Sequence, residues 1–121
     1  MKEILYRATI ENFTLIPCVR MTQASKWSKR ARQYLISQQS LAWEFKKHCV
    51  KGFFIDYPVE LTFAIHRPNK RKVDTDNCIK SIQDALQLAG IVTNDNLIQG
   101  YGKSRLWFDG KARVIVELRR L

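Results

Sequence analysis

Apolar and polar residues alternate from Ile4 to Glu11, with Ile4, Tyr6, Ala8 and Ile10 on one side and Leu5, Arg7, Thr9 and Glu11 on the other. This period of two predicts a strand with one buried face. A loop follows over 12–27. From Ser28, a residue type that caps helices, apolar positions recur at Ala31, Tyr34, Leu35, Leu41, Ala42, Phe45 and Cys49, the spacing of one helical face. Gly52 is the expected stop of this helix. Alternation returns over Tyr57–His66, with Val59, Leu61, Phe63 and Ile65 on one face, and predicts a half-buried strand. Ile79, Ile82, Leu86 and Ala89 then fall at helical spacing before Gly90, a C-terminal stop signal. Two strand-like runs, Ile98–Phe108 and Ala112–Leu118, flank Asp109-Gly110, the dipeptide of a tight hairpin. The order β-α-β-α-β-β predicts an α+β fold: a single small domain over 1–121, with two main helices packed on a mixed β-sheet.

Charge sharpens this picture. Lys and Arg number 21 against 11 Asp and Glu, a net charge of +10 on a chain that is 45% hydrophobic. Such a chain is apolar enough to fold and basic enough to favour a polyanionic partner, nucleic acid ahead of a membrane surface. No apolar run approaches a membrane span, and the N-terminus lacks a signal-peptide pattern. Three cysteines without CxxC spacing support neither a disulfide frame nor a zinc knuckle. The expectation is an unexported cytoplasmic protein with no membrane partner.

Between Glu11 and Glu44 every charge is positive: Arg20, Lys26, Lys29, Arg30 and Arg32. Lys29 and Arg30 would oppose the dipole at the start of the first helix, so they read as DNA contacts, with an unoptimised exposed surface as the equal alternative. A second basic cluster, Arg67, Lys70, Arg71 and Lys72, reads the same way.

Four of the eleven acids, Asp74, Asp76, Asp84 and Asp95, crowd into one stretch directly after that cluster. Asp74 and Asp76 share a face only if Asp74 is extended and the second helix begins near Asp76. The positive end of that helix then meets an approaching phosphate, with Lys80 one turn on. Clustered carboxylates repel unless a cation neutralises them, and hard oxygen ligands suit Mg²⁺ or Mn²⁺. A calcium loop fails, because Cys78 and Ile79 stand where it needs Asp or Asn and Gly. Each residue also has an ordinary reading: Asp76 as a cap, Lys80 in a surface ion pair worth under about 1 kcal/mol, Asp95 as a turn residue. Taken together, Asp-x-Asp-Asn-x-x-Lys followed by one further acid points to a metal-dependent nuclease. The alternative is a non-catalytic basic nucleic-acid-binding module.

The run His66-Arg67-Pro68-Asn69-Lys70-Arg71-Lys72, with Asp74-x-Asp76-Asn77-x-x-Lys80, Asp84-Ala85-Leu86, Ala89-Gly90-Ile91 and Asn94-Asp95, resembles the RusA-type Holliday junction resolvases, endodeoxyribonucleases of bacteria and their phages. The resemblance implies a homodimer that binds four-way junction DNA and makes paired symmetric incisions in recombination and repair, using Mg²⁺ and no organic cofactor. It implies Asp74, Asp76 and Asp95 as catalytic metal ligands and Lys80 as the catalytic lysine. Asn94 stands where the family often has a second acid.

Overall fold

The computed structural model describes residues 3–18, 28–68, 73 and 75–121. Strand β1 (Ile4–Glu11) is followed by helix α1 (Lys29–Lys47), strand β2 (Val59–Arg67) and helix α2 (Thr75–Leu88). A 3-10 turn (Asp95–Leu97) leads into strands β3 (Ile98–Tyr101), β4 (Arg105–Phe108) and β5 (Arg113–Arg120). The five strands form one mixed sheet in the order β1-β5-β2-β3, with β4 also on β2. This is the expected α+β architecture.

Alternation places the core. Tyr6, Ala8 and Ile10 of β1 are buried, as are Val59, Leu61, Phe63 and Ile65 of β2 and Val114, Val116 and Leu118 of β5. Register aligns these sets, pairing Ala8 with Val116, Phe63 with Val116 and Leu61 with Leu118. Onto this face pack Leu41, Ala42 and Phe45 of α1 and Ile82, Ala85 and Leu86 of α2. The buried Tyr6 hydroxyl donates to the Phe45 carbonyl at 2.7 Å, which satisfies the polar tip of this core side chain.

Helix α1 starts as predicted, with the Ser28 hydroxyl accepting from the Ala31 N–H at 3.1 Å. Its end corrects the sequence expectation: the helix stops at Lys47, not at Gly52. His48 N–H donates to the Phe45 carbonyl and Cys49 N–H to that of Lys46, so tighter i to i−3 bonds close the last turn. Gly52, at φ +85°, instead serves a separate turn in which Phe53 N–H reaches the Val50 carbonyl. Helix α2 ends as predicted, with Gly90 at φ +77° and Ile91 N–H donating to the Leu86 carbonyl.

The C-terminal third departs from the hairpin expectation. The predicted run Ile98–Phe108 is two strands, both parallel to β2: Val59 pairs with Ile98, and Ala64–Arg67 with Arg105–Phe108. Between them the chain bends at Gly102–Ser104, where the Ser104 hydroxyl accepts the Phe63 N–H at 3.0 Å in place of a strand carbonyl. Asp109-Gly110 does turn, with Gly110 at φ +78° and Lys111 N–H bonded to the Asp109 carboxylate. It does not join paired neighbours, however. Strand β5 lies antiparallel on the opposite side of β2 from β4, so residues 109–112 carry the chain past the end of β2. No described helix is long and apolar enough to cross a membrane.

Candidate active site

Helix α2 supplies most of the site. It begins at Thr75, one residue before the expected start, which puts Asp76 in its first turn, where a carboxylate suits the dipole. Lys80 lies about 6 Å further along the axis at 1.5 Å per residue. Its Nζ stands 3.0 Å from Asp84 Oδ1 and 3.6 Å from Asp95 Oδ2. The hydrogen bond to Asp84, opposed in part by burial and reinforced by the charges of Asp84 and Asp95, raises the Lys80 ammonium above its ordinary range. Lys80 is therefore a fixed positive charge at neutral pH.

Asp95 reaches this point because the 3-10 turn is tied to α2. Its backbone N–H donates to Gln87 Oε1 at 3.2 Å, and Asn94 Oδ1 caps the turn by accepting from Asn96 N–H at 3.0 Å. Asn94 thus has a local structural task. The Gln83 amide donates to the Tyr101 hydroxyl, a further link from α2 to the strand that follows.

Helix α1 contributes Tyr34, whose hydroxyl lies 3.3 Å from Asp84 Oδ2. Burial first, then contacts with Cys18 and Asp84, push this hydroxyl far above the ordinary phenol range, so it is a permanent donor. A second tie between the helices is buried: Gln38 Nε2 donates to the Ser81 carbonyl at 2.9 Å and to its hydroxyl at 2.7 Å, and that hydroxyl donates to the Ile16 carbonyl at 2.8 Å. Cys18 N–H donates to the Asn77 carbonyl at 2.9 Å. The segment before residue 19 therefore runs across the first turns of α2.

The structure thus gathers Lys80, Asp84 and Asp95, with Asp76 one turn away. Asp74, Lys70, Arg71 and Lys72 lie outside the described residues. Lys29 and Arg30 are exposed in the first turn of α1, which carries no acid. Arg67 does not stand with them. It is 7% exposed, and its Nη1 donates to the Leu15 carbonyl at 2.7 Å, so it anchors the segment that crosses α2. Neither Tyr34 nor Gln87 was singled out from the sequence. Tyr34 reads there as one more position of an apolar face, and Gln87 carries no local signal. Gln38 did carry one, a polar residue at the spacing of the buried face of α1.

Among the described residues no group of three or more His, Cys, Asp or Glu is placed to hold a metal ion. The described part of the expected donor set, Asp76 and Asp95, is all carboxylate, which fits a hard divalent cation and not zinc. Residues 18–119 match the family model described as endodeoxyribonuclease RusA. The chain is also 38% identical, over 77 residues, to the crossover junction endodeoxyribonuclease RusA of Aquifex aeolicus, a stretch covering 64% of this chain and 60% of that relative. With Asp76 and Lys80 on the first turns of α2, and with both helices and strands β2 to β4 inside the matched region, the chain belongs to the RusA endodeoxyribonuclease family.

Proposed function

We propose that this protein is a structure-selective endodeoxyribonuclease that resolves four-way DNA junctions by paired symmetric incisions, acting as a homodimer in recombination and repair. The observation that carries this reading is the meeting of Lys80 with Asp95 beside the acidic first turn of α2, in a chain of this family. Asp74, Asp76 and Asp95 would hold Mg²⁺ or Mn²⁺, which when bound polarises a phosphate and lowers the pKa of water. The chain's own groups do the rest. The N-terminus of α2 directs its backbone dipole at a phosphate, and the Lys80 ammonium offsets negative charge developing on the phosphate or the leaving oxygen. Lys29 and Arg30, with Lys70, Arg71 and Lys72, supply contacts to the DNA backbone. A two-fold dimer matches a junction of two-fold symmetry and offers it two identical sites.

The test is incubation of the purified protein with a synthetic four-way junction in Mg²⁺, with mapping of the incised bonds. Symmetric cuts in opposing strands, abolished by chelator and by Asp95→Asn while junction binding persists, are expected. Binding without cutting at any divalent-ion concentration would leave a nucleic-acid-binding module instead.

A further inference from the structure

Resting on the nuclease reading, we infer that Asp84 is a positioning residue that holds Lys80 off Asp95, leaving the Asp95 carboxylate available to a cation. Lys80 Nζ is shared between two carboxylates, closer to Asp84 at 3.0 Å than to Asp95 at 3.6 Å. An ammonium that settled on Asp95 would compete with a divalent cation for the same oxygen atoms. The shorter contact with Asp84 restrains it.

Asp84 is itself held from a second helix. Its Oδ1 accepts from Lys80 and its Oδ2 from the Tyr34 hydroxyl at 3.3 Å, so the carboxylate is oriented at both oxygens. Tyr34 is 3% exposed and cannot swing away without disturbing the α1–α2 contact. Stability alone gives little reason for the pair, since an exposed i, i+4 ion pair contributes little to folding. Nor is Asp84 a companion ligand of Asp76. Eight residues separate them along α2, about 12 Å of axis, whereas oxygen ligands of one Mg²⁺ each sit about 2.1 Å from it. A carboxylate two turns beyond Asp76 and bonded to the lysine between them acts through that lysine.

The test is calorimetric titration of Mn²⁺ into the intact protein and its Asp84→Asn, Lys80→Ala and double variants, alongside junction cutting by each. Asp84→Asn is expected to weaken Mn²⁺ binding about tenfold, the scale seen when a group that orients the residues around a metal is lost. It should lower kcat with little change in junction affinity, and Asp84→Glu should recover part of both. Adding Lys80→Ala to Asp84→Asn should restore Mn²⁺ affinity, because the competing ammonium is gone. Unchanged Mn²⁺ binding by Asp84→Asn would overturn the inference, as would a loss that persists without Lys80, which would make Asp84 a ligand. If Mn²⁺ binding follows the expected pattern while no variant, nor the native chain, cuts a junction, the nuclease reading fails and the positioning role stands.

Discussion

His66 Nδ1 and Asp109 Oδ2 lie 2.7 Å apart, joining the C-terminal end of β2 to the segment that carries the chain past it. The His66 ring stacks on Trp107 with centroids 5.7 Å apart and planes 4° from parallel, and the Arg105 guanidinium covers the other partner at 3.6 Å from the Trp107 centroid. Arg105, Trp107, His66 and Asp109 thus form one connected cluster at the C-terminal end of β2.

This cluster makes stability depend on acid. Burial pushes the Asp109 carboxyl up, but hydrogen bonds from His66 and from Lys111 N–H, with the His66 charge, outweigh it and hold the group below its ordinary value of 3.8. A carboxyl depressed in the folded state stabilises fully above its unfolded pKa and loses that contribution as pH falls through the folded one. Thermal melts of the native protein should therefore lose Tm as pH drops below about 4. Asp109→Asn should start from a lower Tm at neutral pH and show a shallower acid slope. Parallel slopes would show that Asp109 does not contribute to acid lability.

The Gln38–Ser81–Ile16 chain predicts a stability effect away from any reacting group. Ser81→Ala leaves the Ile16 carbonyl and part of the buried Gln38 amide without their partner, which costs about 1–3 kcal/mol. Denaturant unfolding should show this as a lower midpoint at an unchanged slope. A midpoint within error of the native protein would mean that water replaces the hydroxyl.

Gly102 predicts compensation between a single and a double variant. A Cβ built there overlaps the Thr62 hydroxyl, and Thr62, being β-branched, has few rotamers to retreat into. Gly102→Ala should destabilise by about 1–3 kcal/mol, the range for overpacking. Combining it with Thr62→Ala should recover most of that loss. Additive losses in a double-mutant cycle would place the clash elsewhere.

The residues after β2 predict an ionic signature. If Lys70 and Arg71 each neutralise one phosphate, Lys70→Ala with Arg71→Ala reduces the slope of log affinity against log salt by about 1.8. An unchanged slope would turn that segment away from the DNA.

Much of the fold is legible in local pattern. The alternation over Ile4–Glu11 and Val59–Ile65 marks the strands, and Ser28 and Gly90 mark a helix start and a helix end where the structure has them. These signals work because each rests on a few consecutive residues whose burial or backbone dihedral is set locally. The misreadings share a cause. Asp109-Gly110 has hairpin chemistry, but β2 offers a hydrogen-bonding edge on both sides, and β4 and β5 each take one. Arg67 belongs to a basic run, yet its strand position carries it into the interior to meet Leu15, 52 residues earlier.

The site divides along the same line. Residue types and spacing already carry the class of chemistry: the carboxylates, the lysine one turn after Asp76, and the membership in a nuclease family. Packing between distant elements turns Lys80 toward Asp84 and Asp95 and lets Tyr34 brace Asp84 from another helix. It also buries Arg67 and bonds it to the Leu15 carbonyl. Residue type and spacing fix what a side chain can do within a turn or two of its own backbone. Which of several nearby partners it meets depends on distances set by packing between α1, α2 and the turn at Asp95, elements far apart along the chain.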